Sequence, residues 1–161
     1  MLVVARDLQL ARRANRAGAR HSLRIVWEAR RAGIPISLAF ALVEQESAFR
    51  NVVGHDPGGP HPGAAVTRQV VKDILASPVS NGVGLTQLTY KPYIRKADRL
   101  GGAHRPKYQL RVGFQALADN VHRAGSLRAG IKAYNGTGPA ADNYARRLLH
   151  RQKKWHQVLN P

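Results

Sequence analysis

The sequence predicts a mainly α-helical protein, a single domain over residues 1–161. Three observations predict it. The first 33 residues are rich in Ala, Arg and Leu and nearly free of breakers. Apolar residues then recur every three or four positions towards the C-terminus. Between them, Gly and Pro are concentrated in loop-like runs around residues 54–63 and 77–90.

The elements follow in order. Residues 1–33 form a basic section of two helices divided at Gly18, with Leu8, Ala11 and Asn15, then Leu23, Val26, Trp27 and Arg30, at helical spacing. Pro35 and Ser37 open a third helix ending near Phe49. Residues 50–66 are a loop, and a short helix follows over about 66–76. Residues 77–90 form a Gly-rich extended segment. A helix over about 91–100 precedes the turn at Gly101-Gly102. Leu110, Phe114, Leu117 and Val121 mark one buried stripe, Ser126 caps a short helix ending near Tyr134, and a last helix turns Tyr144, Leu148, Trp155 and Leu159 inward. Trp27 and Trp155 are expected in the core.

Composition narrows the function. The 161 residues contain no cysteine, which excludes disulfides and thiolate metal sites. A net charge of +17 points to a polyanionic partner: nucleic acid, an anionic membrane surface or an acidic cell wall. The apolar start at Met1–Val4 is interrupted by Arg6 and Asp7, so no signal peptide is expected, and no run approaches a membrane span.

Only nine residues are acidic, three of them glutamates. On a helical wheel Glu46 falls within about a quarter-turn of Leu38, Ala39, Leu42, Val43 and Phe49, and Glu44 falls nearly opposite. Burial disfavours an ionised carboxyl. Glu46 is therefore the unusual carboxylate, and Glu44 is expected on the surface. Three blocks stand in order: Glu46-Ser47-Ala48-Phe49, Gly82-Val83-Gly84-Leu85-Thr86-Gln87 and Ala133-Tyr134-Asn135-Gly136.

With these blocks, from about Ile36 to Trp155, the chain resembles the lysozyme-like superfamily of soluble lytic transglycosylases and goose-type lysozymes. More closely, it resembles muralytic domains of endolysins from phages of actinobacteria. The Val43-Glu44-Gln45-Glu46-Ser47 run, the His55-Asp56-Pro57-Gly58-Gly59-Pro60 loop and the closing Lys153-Lys154-Trp155 add to the likeness. The resemblance implies a lysozyme-like helical domain whose Gly-rich segment lines a glycan cleft. It implies cleavage of the β-1,4 bond between N-acetylmuramic acid and N-acetylglucosamine.

On that resemblance Glu46 is the catalytic acid, which must supply a proton to the leaving oxygen. Ser47, Gln87, Tyr134, Asn135 and Gly84 are expected to bind substrate, Gly82 and Gly84 by admitting the glycan close to the backbone. Goose-type lysozymes carry aspartates around the Gly-Leu-x-Gln block, where this chain has Pro78 and Thr89. A lytic transglycosylase needs no second carboxylate. A hydrolytic lysozyme does, and Asp56 and Asp73 are its candidates. No cofactor and no metal are expected. The expected partner is peptidoglycan, reached through its polyanionic wall, by a monomer released from the host cytoplasm through a holin. The alternative of another class is a basic helical nucleic-acid-binding protein, for which the charge alone speaks.

Overall fold

The computed structural model describes residues 2–161, with side chains from residue 4 onward. Met1 of the apolar start lies outside the described residues. Among the described residues eight α-helices run in order: α1 (Leu2–Arg16), α2 (Ser22–Ala32), α3 (Ile36–Ser47), α4 (Arg68–Ala76), α5 (Lys91–Gly101), α6 (Pro106–Ala124), α7 (Leu127–Asn135) and α8 (Gly138–Leu159). A 3-10 turn, Gly84–Thr86, lies between α4 and α5. Among the described residues pairing between extended segments is confined to isolated bridges. The protein is mainly α-helical, and the chain divides into two compact units, residues 1–45 with 114–161 and residues 46–113.

In the first unit α1 packs on α2 and α8, and α7 packs on α8. The inward face of α1 carries Asp7, Leu10, Ala11 and Ala14, while Leu8 is exposed. In α2 the inward residues are Ser22, Ile25, Val26, Glu28 and Ala29. Trp27 is 44% exposed, against the core position expected for it, with the Arg24 guanidinium 5.9 Å from its ring centroid. Close helix packing favours the small and branched side chains of the neighbouring face over an indole, which an arginine can cover at the surface. Arg30 is also outside, where its Nε lies 2.6 Å from the buried Asp7 carboxylate. Gly33, left-handed at φ 71°, ends α2 and donates to the Ala29 and Arg30 carbonyls.

Helix α3 is enclosed, since every residue from Leu38 to Val43 is fully buried. Phe40 stacks on Trp155 of α8 with ring centroids 5.0 Å apart, a pairing worth about 1 kcal/mol beyond its buried area. This enclosure overturns the surface placement of Glu44. Its side chain is only 19% exposed. It accepts from Trp155 Nε1 at 3.1 Å and pairs with Arg151 at 3.0 Å and Lys154 at 3.6 Å. A helical wheel assigns a solvent face only when a helix has one. Arg13 closes the unit by donating to the Leu159 carbonyl at the end of α8, 2.6 Å away.

The remaining helix signals hold. Ser126 Oγ accepts from Ala129 N at 3.2 Å and caps α7. Leu110, Phe114 and Leu117 are fully buried and Val121 is half-buried. Gly130 lets α7 approach α6, because a Cβ there would lie 2.3 Å from the Val121 Cα. Tyr144, Leu148, Trp155 and Leu159 all face inward from α8.

His21 precedes α2 in the left-handed region at φ 59°. Burial, and then the charges of Arg20 and Arg24, lower its pKa below the usual histidine value. A lowered folded pKa means that the unfolded chain takes up the proton first as pH falls. Stability from this site is therefore complete above about pH 6.5 and declines as pH drops below it. His21→Asn, which tolerates the left-handed backbone, is expected to flatten that decline. Melting temperatures of both proteins between pH 8 and pH 5 check it, and parallel curves would refute it.

The second unit is built on a small core of Val53, Val66, Val71, Ile74, Val83, Leu88, Ile94, Ala97, Ala103 and Val112. Single antiparallel bridges join Val52 to Ala65, Val53 to Val83, and Val83 to Leu88. Residues 77–90 are thus extended only in part. Val83 and Leu88 exchange two backbone hydrogen bonds of 3.1 Å around the 3-10 turn, which closes the segment into a compact loop.

Candidate active site

Glu46 sits in the last turn of α3, half-buried. The helix stops immediately beyond it, because Ala48 and Phe49 take positive φ values of 49° and 62°. Two successive non-glycine residues in this region cost on the order of 1–3 kcal/mol each, and such strain clusters at functional sites. Ser47 is buried, and its Oγ donates to the Leu85 carbonyl at 3.0 Å. That bond joins two of the three sequence blocks across 38 residues. Ser47 thereby positions the end of α3 on the Gly84–Thr86 turn.

The loop from Gly82 to Gln87 is held by amides of the chain itself. Gln87, also left-handed at φ 45°, donates both amide hydrogens inward, to Val52 O at 3.0 Å and Gly84 O at 2.8 Å. The backbone adds Gly54 N to Gly82 O at 2.8 Å and Gly84 N to Val52 O at 3.0 Å. A Cβ on Gly82 would meet Gln87 Oε1 at 2.3 Å, and one on Gly84 would meet the Gln109 carboxamide at 2.0 Å. The room these glycines provide is filled by glutamine side chains of the same unit.

Two residues that sequence reasoning missed organise this loop. Gln109 is fully buried on α6. It accepts from Leu85 N at 3.0 Å and donates to Asn51 Oδ1 and Ala103 O, each at 2.8 Å. Its carbonyl accepts from Thr86 Oγ1 at 3.0 Å. Asn81, also fully buried, donates to Gly54 O and Pro60 O and accepts from the backbone of Asp56 and Gly82. The Asn81-Gly82 dipeptide carried a turn signal. Nothing in the sequence distinguished Gln109 from other helical polar residues.

The candidate second carboxylates differ in environment. Asp73 on α4 has both oxygens engaged, one by His61 Nε2 at 2.8 Å and the other by Gln69 Nε2 at 2.8 Å. Asp56 is exposed on the 54–60 loop, with Thr89 Oγ1 3.5 Å from its Oδ2. Thus Thr89, at a position where the resemblance expected an aspartate, lies beside one. Among the described residues no group of three or more His, Cys, Asp or Glu is gathered as a metal would require.

The third block belongs to the other unit. Tyr134 is half-buried and Asn135 exposed at the C-terminal end of α7, where Gly136 N donates to Lys132 O at 2.9 Å. What is joined within residues 46–113 is therefore Ser47, next to Glu46 in sequence, and the Gly82–Gln87 loop, through Leu85.

These features define a mainly α-helical protein in which a half-buried glutamate precedes a serine that is bonded to a hydrogen-bonded glycine loop. No family model, curated protein or solved structure matches the chain. No helix among the described residues is long and apolar enough to cross a membrane.

Proposed function

We propose that this protein is a peptidoglycan-degrading glycosidase of the phage endolysin kind, acting as a lytic transglycosylase with Glu46 as its acid and base. The observation that carries the reading is the Ser47–Leu85 hydrogen bond, which ties the Glu46 turn to the Gly82–Gln87 loop. Local strain at Ala48, Phe49 and Gln87 supports it, because three left-handed non-glycine residues lie within the same two blocks.

In this reaction the Glu46 carboxyl gives its proton to the glycosidic oxygen as the bond to the muramic acid anomeric carbon breaks. The resulting carboxylate takes a proton from the 6-hydroxyl of that sugar, whose oxygen bonds to the same carbon. The products are a 1,6-anhydro end and a free 4-hydroxyl, and Glu46 is protonated again. No water and no second carboxylate take part. Gln87 and Gly84 are proposed to shape the loop that meets the glycan, and Ser47 to set the acid's position.

The specific rival is a hydrolytic lysozyme with Asp56 as its base, favoured by the Thr89 contact and by the exposure of Asp56. An inverting hydrolase places its two carboxyls about 6.5–9.5 Å apart, with water between them. Purified protein is expected to clear a suspension of bacterial cell walls and release muropeptides with 1,6-anhydro ends, identified by mass spectrometry. Reducing ends would transfer the assignment to the Asp56 hydrolase. Failure to release any glycan fragment would reject the glycosidase altogether.

A further inference from the structure

The first unit contains a groove, separate from the Glu46 loop, with a volume of about 770 Å³ and a lining of Ser37, Arg128, Arg146, His150, Lys153 and His156 together with uncharged residues. We infer that this groove binds a base-free phosphodiester chain, a polymer of alcohol phosphates such as those attached to bacterial walls. The inference rests on the wall-degrading reading only for the source of that polymer.

Charge bookkeeping within the unit supports an external anion. Residues 1–45 and 114–161 hold 16 Lys and Arg against 5 Asp and Glu, a net of +11. The acids are engaged elsewhere: Asp7 with Arg30, Glu28 with Arg31, Glu44 with Arg151 and Lys154, Asp142 with Lys132, and Asp119 with the Gln115 amide. Arg128, Arg146 and Lys153 make no ion pair with a carboxylate among the described residues; Arg146 donates only to Asn143 Oδ1, at 2.9 Å. No carboxylate lines the groove. Like charges drawn around one concavity repel one another until an anion enters, and a guanidinium fork matches phosphate oxygens.

The lining also selects among polyanions. It has no Trp, Tyr or Phe, whereas proteins that hold single-stranded nucleic acid stack bases on aromatic rings. A duplex is read by elements that project into its own grooves, so a concave site is the wrong shape for one. The volume falls within the range of small-ligand sites, about 300–1,000 Å³, enough for a few repeats of a thin, flexible chain. Ser37, in the first turn of α3, is buried and Leu149 and Gln152 are half-buried, whereas Arg128, Arg146 and Lys153 are exposed.

Binding of a poly(glycerol phosphate) oligomer, measured by calorimetry over a salt series, tests the inference. The triple variant R128Q/R146Q/K153Q is expected to bind at least tenfold more weakly. It should also flatten the slope of log K against log salt by about 2, if each cation neutralises one phosphate as on a single strand. The control R95Q/K96Q/R99Q removes the same charge from exposed positions on α5 and is expected to lose less than threefold. Arg146→Gln alone should give an intermediate loss and guards against misfolding of the triple variant. Equal losses in the two triple variants would reduce the groove to general charge and overturn the inference. So would tighter binding of a single-stranded oligonucleotide with the same number of phosphates. No glycan is present in this assay, so its failure would leave the glycosidase reading intact. Conversely, walls stripped of phosphate polymer test the glycosidase alone, and there the groove variant should clear as fast as wild type.

Discussion

Glu46→Gln is expected to abolish wall clearing while leaving the protein folded. Glutamine keeps the shape of the side chain and can still form hydrogen bonds, but it has no proton to give to a leaving oxygen. Positioned proton transfer contributes about 10²–10⁴-fold to such reactions, and here one carboxyl is proposed to serve as both acid and base. Clearing should fall below about 1% of wild type by that magnitude. The melting temperature should move by no more than about 3 °C, the shift produced by roughly 1 kcal/mol in a chain of this size. Glu44→Gln should show the opposite pattern. It weakens the hydrogen bond from Trp155 and removes the pairing with Arg151 and Lys154, costing about 1–2 kcal/mol of stability with clearing retained. A folded Glu46→Gln protein that clears walls normally would remove Glu46 from the mechanism.

Gly84→Ala is expected to be the most damaging single change in residues 46–113. At φ +72° an alanine takes a backbone that costs about 1–2 kcal/mol. Its Cβ would stand 2.0 Å from the Gln109 carboxamide, which is fully buried and cannot swing into solvent. Displacing Gln109 breaks its bonds to Leu85, Asn51 and Ala103 and leaves buried polar atoms without partners. Each orphaned group costs about 1–3 kcal/mol, so a total loss above about 3 kcal/mol is expected. Urea denaturation measures it. A loss below about 1 kcal/mol would show that the loop relaxes around the methyl group, and that the glycine is kept for approach of a ligand instead. Activity should fall too, because the same turn holds Ser47 and through it the end of α3.

The two changes separate chemistry from scaffold. Glu46 is at a helix end, half-exposed, where a substitution alters protonation without removing packing. Gly84 is inside a network in which the buried Gln109 side chain is bonded to Leu85, Asn51 and Ala103. If both variants lose clearing but only Gly84→Ala loses stability, the division of labour between acid and loop is established.

Much of the helical layout was legible in the sequence, because capping and breaker signals are local. Ser126 caps α7, Gly33 ends α2, and the inward positions of α8 follow from periodicity. The finer phase of α1 and α2 was not legible. Of the expected positions Ala11 and Val26 are buried, whereas Leu8 and Trp27 are exposed and Leu10, Ala14, Ile25 and Ala29 complete the buried faces. Helix packing selects for fit as well as hydrophobicity, and fit depends on the partner surface.

For the candidate site, the sequence by itself determined which residues are chemically able to act: three glutamates, one of them beside Ser47, and a Gly-Gln block about 40 residues later. It also determined the +17 charge and the absence of thiols. Only the tertiary structure decided what each polar group touches. It placed Ser47 on Leu85, turned the Gln87 and Gln109 amides inward, and drew Glu44 into the Trp155 cluster. The physical reason is range. Helix periodicity and turn chemistry act over a few residues, whereas a hydrogen bond across 38 or 111 residues exists only once the chain has folded.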